Sequence, residues 1–139
     1  MKILVIDDDP AMTDLLKLML EPTTATVITS NSGSAGLLRF KETNPDIVIL
    51  DLIMPEMDGW HVCEAIREIS RVPVMILSVL NNPGLVARAL DMGADDFLVK
   101  PVKSAVLVAH INSLTRRTAE VNANATPMKN EMLFVNNKY

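Results

Sequence analysis

The stretch DIVILDLIMPEMDG, residues 46–59, opens as apolar as a core strand and then sets a carboxylate, Asp51, at its end. Near the start of the chain KILVIDDDP, residues 2–10, repeats the arrangement with Asp7, Asp8 and Asp9. A buried charge needs a partner. Two buried strands that both end in acid therefore ask what else is held at that edge.

Other runs resemble these two. ILVI (3–6), IVIL (47–50), VPVMIL (72–77) and FLV (97–99) are rich in Val and Ile and do not alternate with polar residues, and ATVIT (25–29) is a weaker fifth. Unbroken β-branched runs of this length belong to strands covered on both faces, as in a parallel sheet. Between them lie helix-length segments with apolar spacing near 3.6. The expected inward faces are Met12, Leu15, Leu16 and Met19 in 10–21, then Ala35, Leu37 and Leu38 in 33–43. Val62, Ile66 and Ile69 serve 59–69, Leu85, Ala89 and Met92 serve 83–92, and Leu107, Ile111 and Leu114 serve 103–117. Asp9 fits an N-cap, Pro10 a first helical turn, and Gly93 a helix end. The order βαβαβαβαβα implies an α/β fold, a doubly wound five-stranded parallel sheet with helices on both faces.

Composition narrows the function. The length of 139 residues suits one domain. A single cysteine, Cys63, excludes an internal disulfide framework and fits a reducing, cytoplasmic location. No apolar run approaches the roughly 18 residues of a membrane span, and no signal-peptide pattern opens the chain. A net charge of −4 without a basic cluster argues against direct nucleic-acid binding by this domain. From about residue 118, TAEVNANATPMKN is polar and without clear period, and reads as a linker or tail. EMLFVNNKY, residues 131–139, reads either as a stray strand or as the start of a second domain.

In a doubly wound sheet, ligands bind beyond the carboxyl ends of the strands. Asp7 and Asp8 leave strand 1 and Asp51 leaves strand 3. If these strands are neighbours, about 4.8 Å apart, three carboxylates share a small space and repel one another unless a cation intervenes. Oxygen-only ligands and an incomplete cage suit Mg²⁺. Ser78 follows strand 4 and Lys100 follows strand 5, so a hydroxyl and an ammonium aim at the same edge. A carboxylate nucleophile, a hard cation, a lysine and a hydroxyl together suit phosphoryl transfer, with Asp51 forming an acyl phosphate.

Asp7-Asp8, Asp51 within DLIMPEMDG, Ser78 and Lys100-Pro101, in this order, resemble the receiver domain of two-component response regulators over roughly residues 2–117. The resemblance implies a flavodoxin-like sheet of strand order 2-1-3-4-5. The chain then divides into a receiver at 1–118 and a linker or tail at 119–139, either a natural tail or a linker cut before an output domain. Asp51 matches the phosphoacceptor, charged from a phosphohistidine of a sensor histidine kinase. Asp8 and Asp51 match direct Mg²⁺ ligands, Asp7 an acid acting largely through water, and Ile53 the residue whose backbone carbonyl joins them. Ser78 matches the switch hydroxyl, Phe97 the aromatic switch and Lys100 the phosphate-pairing lysine, aimed by a cis bond to Pro101. The helix 4–strand 5–helix 5 surface is then the one rearranged, where a homodimer is expected through Asp95, Asp96, Arg88, Arg116 and Arg117. In this chain Val79 follows the switch serine where a small residue is usual, and Val86 and Val106 replace a charged pair. Ile53 and Leu80 are apolar and cannot position an attacking water, which implies slow loss of the phosphoryl group.

Other readings are weaker. A Mg²⁺-dependent phosphohydrolase wants a general acid two residues after the nucleophile, where Ile53 stands. A flavodoxin-like cofactor binder wants a glycine- and hydroxyl-rich loop after strand 1, where DDDP would repel phosphate. A degenerate receiver acting only as an interaction module would not need the full set of acids. His61 and His110 lack partners at metal spacing and read as surface residues. Cys63 reads as core or helix flank, Asp58-Gly59 as a turn and helix start, and Trp60 as partly exposed beside the acidic pocket.

Overall fold

The computed structural model describes residues 1–128, so EMLFVNNKY lies outside the described residues. The elements are β1 (Lys2–Ile6), α1 (Pro10–Leu20), β2 (Thr26–Ser30), α2 (Gly33–Thr43) and β3 (Ile47–Leu50), followed by α3 (Gly59–Ile69), β4 (Val74–Ser78), α4 (Pro83–Asp91), β5 (Asp96–Val99) and α5 (Ser104–Met128). All strand pairs are parallel, in the order β2-β1-β3-β4-β5 that the resemblance implied.

Period-two alternation explains the greasy strands. Ile3, Val5, Ile47, Ile49, Met75 and Leu77 meet Leu16 and Leu20 of α1 and Leu107, Ile111 and Leu114 of α5. Their neighbours Leu4, Ile6, Val48, Leu50, Val74 and Ile76 meet Phe40, Val62, Ile66 and Ala89 on the other side. The three central strands β1, β3 and β4 are thus buried on both faces over Ile3–Ile6, Ile47–Leu50 and Val74–Leu77, and those stretches hold no polar residue, whereas the outer strands β2 and β5 are half-buried.

The helix faces required correction. Leu15, Leu38 and Ile69 are 48 %, 58 % and 59 % exposed, and Ala35 is also exposed. In α1 the buried set is Thr13, Leu16 and Leu20; in α2 it is Gly33, Gly36 and Phe40. α2 turns this side inward because Gly36 sits on Ile6: a methyl there would lie 2.6 Å from Ile6 Cδ1. A leucine stripe could not approach β1 so closely. The inward faces read for α4 and α5 match the structure: Leu107, Ile111 and Leu114 are buried, as is Ala89, with Leu85 and Met92 half-buried. Trp60 is 6 % exposed, not partly open, because its ring joins the core beneath Arg88.

α5 also runs past residue 117 to Met128. The polar composition there lacks a core stripe, but its alanines are strong helix formers. Local signals were more reliable. Asp9 accepts the Ala11 amide at 3.0 Å, Pro10 opens α1, and Gly93 has φ +111° after α4.

Candidate functional site

Register sets the site. Ile6 pairs with Leu50 across β1 and β3, so Asp7 and Asp51, each the next residue, leave adjacent strands at one level. Ser78 pairs with Val99 across β4 and β5, so Lys100 emerges beside Ser78; its amide donates to the Ser78 carbonyl at 2.8 Å. The Lys100–Pro101 bond is cis, as the resemblance implied.

Carboxylate oxygens of Asp7, Asp8 and Asp51 lie within 4.8 Å of one another. Asp7 and Asp51 are 3 % and 8 % exposed, and Asp8 is half-buried. Lys100 Nζ donates to Asp7 Oδ2 at 2.7 Å and stands 3.6 Å from Asp51 Oδ2. The Asp9 amide donates to Asp7 Oδ1 at 3.0 Å, so both Asp7 oxygens are engaged. One ammonium cannot offset three carboxylates. Burial, the largest influence, pushes the Asp51 carboxyl above the usual aspartate range; Lys100 pulls against it, and the Asp7 charge pushes the same way as burial. Hard oxygen donors crowded at a half-buried edge fit a divalent cation such as Mg²⁺ better than any softer ion.

Ser78 is fully buried, and its Oγ accepts the Leu80 amide at 3.3 Å. Val79 is 66 % and Ile53 54 % exposed, an apolar rim at the end of the sheet. Phe97 is half-buried against the core cluster that contains Trp60 and Ala89.

Gly59 holds the loop after Asp51 in place, a role larger than the turn read from sequence. Its amide donates to Leu52 O at 2.8 Å, and a methyl there would collide with the Asp51 carbonyl oxygen. Within the loop the Met57 amide donates to Pro55 O at 2.7 Å across Glu56, whose φ is +66°, a tight γ-turn. Asp58 caps α3, accepting the His61 amide at 3.0 Å, with the His61 ring 2.8 Å away. Burial works against the Asp58 charge, but those two His61 contacts outweigh it and hold the carboxyl below its usual range.

Several residues offered for a dimer face are engaged within the chain. Asp95 pairs with Arg67 Nη2 at 2.6 Å, and Asp96 pairs with His110 Nδ1 at 2.6 Å, so His110 is not a solitary surface histidine. Arg67 also donates to the carbonyls of Gly93, Val72 and Ser70. Nothing in the spacing of the sequence marks Arg67; its partners come from two segments, 70–72 and 93–95.

The fold and this acidic edge define a signalling module. The chain belongs to the response regulator receiver domain family, which it matches over residues 3–112. It is 38 % identical over 123 residues to a probable transcriptional regulator, ycf27, of Porphyridium aerugineum, covering 88 % of this chain and 51 % of that protein. It superposes with a TM-score of 0.82 and 32 % identity on a response regulator receiver domain protein from Clostridium thermocellum, over 86 % of this chain and 98 % of that one. The BeF₃-activated receiver domain of RstA from Klebsiella pneumoniae gives 0.81 and 28 % identity, over 84 % and 99 %. The chain spans about half the length of the curated relatives it matches. Among the described residues no helix is long and apolar enough to cross a membrane.

Proposed function

We propose that the protein is a phosphorylation-dependent switch: Asp51 accepts a phosphoryl group from a phosphohistidine of a sensor histidine kinase, and the change controls an output, most simply transcription. The observation that carries this reading is the convergence of Asp7, Asp8 and Asp51 within 4.8 Å, with Lys100 Nζ at 2.7 Å and 3.6 Å from two of them. Asp8, Asp51, the Ile53 carbonyl and, through water, Asp7 would hold Mg²⁺. When bound, the cation supplies charge to offset the phosphoryl oxygens. An Asp51 carboxylate oxygen attacks phosphorus, the bond to the donor nitrogen breaks, and the imidazole departs. Lys100 pairs with a phosphoryl oxygen and the Ser78 hydroxyl donates to another. Phe97 then repacks with the α4–β5–α5 face, through which a homodimer forms. The exposed apolar side chain of Ile53 offers no group to orient a hydrolytic water, which supports a long-lived phosphoryl group and counts against a phosphohydrolase. Incubation with acetyl phosphate and Mg²⁺ tests the reading. The expected result is one added PO₃ on Asp51, absent without Mg²⁺ and in Asp51→Asn. Labelling elsewhere, or none, would overturn it.

A further inference from the structure

Helix α4 is the least anchored helix of the fold. Ala89 is its one fully buried residue, with Leu85 half-buried and Met92, at its C-cap, packed beside it. Its C-terminal end is pinned from outside: Arg67 Nε donates to Gly93 O at 2.8 Å, its Nη2 holds Asp95, and its stem lies over Gly93. Its N-terminal end starts at the Asn82 cap, soon after Ser78 and Leu80. In the last turn, beside that pinned end, the Arg88 guanidinium lies 4.2 Å from the centroid of the Trp60 ring. Among the described residues Arg88 has no carboxylate within ion-pair distance, so this stack is its one specific contact. Trp60 is in turn fixed to the acceptor, because the preceding residue, Gly59, is seated on the Asp51 carbonyl and bonded to Leu52 O.

We propose that Arg88 is a positioning residue: stacked on Trp60, it holds α4 in the seat seen with unmodified Asp51 and so opposes filling of the Asp51 site. This rests on the phosphoacceptor reading. Turning the Ser78 hydroxyl toward a group on Asp51 releases the Leu80 amide it now accepts and frees the segment leading to α4. With the far end pinned by Arg67, α4 responds by turning about that end, and the turn draws the Arg88 guanidinium, at the tip of its long side chain, off the Trp60 ring. A contact made in only one of two states shifts the equilibrium by its own free energy.

Two measurements on the 139-residue chain test this, with Arg88→Ala and Arg88→Lys. In the unmodified protein, Arg88→Ala speeds amide hydrogen exchange in residues 83–91 relative to α3, and Arg88→Lys, which keeps a cation over the ring, largely restores it. In a titration with beryllofluoride and Mg²⁺, Arg88→Ala binds more tightly, by about two- to fivefold, the factor of an exposed cation–π contact. Unchanged exchange in α4, or equal or weaker affinity in Arg88→Ala, overturns the proposal. A wild-type protein that binds no beryllofluoride overturns the phosphoacceptor reading instead, and the exchange arm separates the two failures.

Discussion

Replacing Gly59 by alanine probes the seat of the acceptor loop. The added methyl would strike the Asp51 carbonyl oxygen and come within 2.7 Å of Leu52 Cα and 2.9 Å of Asp51 C. These are backbone atoms and cannot rotate away. Restoring an ordinary carbon–carbon contact moves the helix start or the strand end by about 1 Å, enough to break the 2.8 Å bond from Gly59 N–H to Leu52 O. Overpacking of this kind costs about 1–3 kcal/mol, and the lost hydrogen bond roughly 1 kcal/mol more. Stiffening of the unfolded chain returns only about 0.4–1 kcal/mol. The expected loss is then on the order of 2–3 kcal/mol, or roughly 10 °C in Tm for a domain of this size. Gly84→Ala is the matched control: its methyl meets only Asn82 Oδ1, at 3.1 Å, on the exposed start of α4. Thermal and urea unfolding of the three proteins, each also assayed for phosphorylation by acetyl phosphate, decides the matter. The reasoning is refuted if Gly59→Ala matches wild type, or if Gly84→Ala loses as much.

Three further outcomes follow from the packing. Gly36→Ala drives a methyl into Ile6 and is expected to cost about 1–2 kcal/mol; combined with Ile6→Val in a double-mutant cycle of urea midpoints, the cost is less than additive, and strict additivity would contradict the contact. Arg67→Met removes the bonds to Gly93, Val72 and Asp95 and leaves Asp95, just before β5, only the Val74 amide, for a loss of roughly 1–3 kcal/mol in urea unfolding. Cys63 is 2 % exposed, and burial, the largest influence, pushes its thiol up, so at mildly alkaline pH little thiolate forms. Iodoacetamide should modify it roughly 100-fold more slowly in native protein than in denaturant; equal rates would mean that the α3 core face is open.

The strands and the site were legible for one reason. A strand buried on both faces must be apolar throughout, so an acid at its end stands out, and the Ile6–Leu50 register brings Asp7 and Asp51 together. The helix faces were less legible, because periodicity reports a stripe but not which side approaches the sheet. At α2 the choice belongs to Gly36 and Phe40, and a glycine carries no hydropathy signal. The clamp made by Arg67 and the Arg88–Trp60 stack join segments far apart in sequence, and no local pattern announces such pairs. α5 continues through the polar stretch after residue 117, since composition shows the absence of a buried stripe, not the absence of a helix.

The central claim is that the crowded acids at the sheet edge are tolerated because they hold a divalent cation. Its most direct test is the unfolding free energy of wild type and Asp8→Asn, each in EDTA and in Mg²⁺. With Mg²⁺ at about ten to a hundred times its dissociation constant, wild type should gain roughly 1.4–2.7 kcal/mol and Asp8→Asn far less. No gain in wild type, or the same gain in both proteins, would contradict the account.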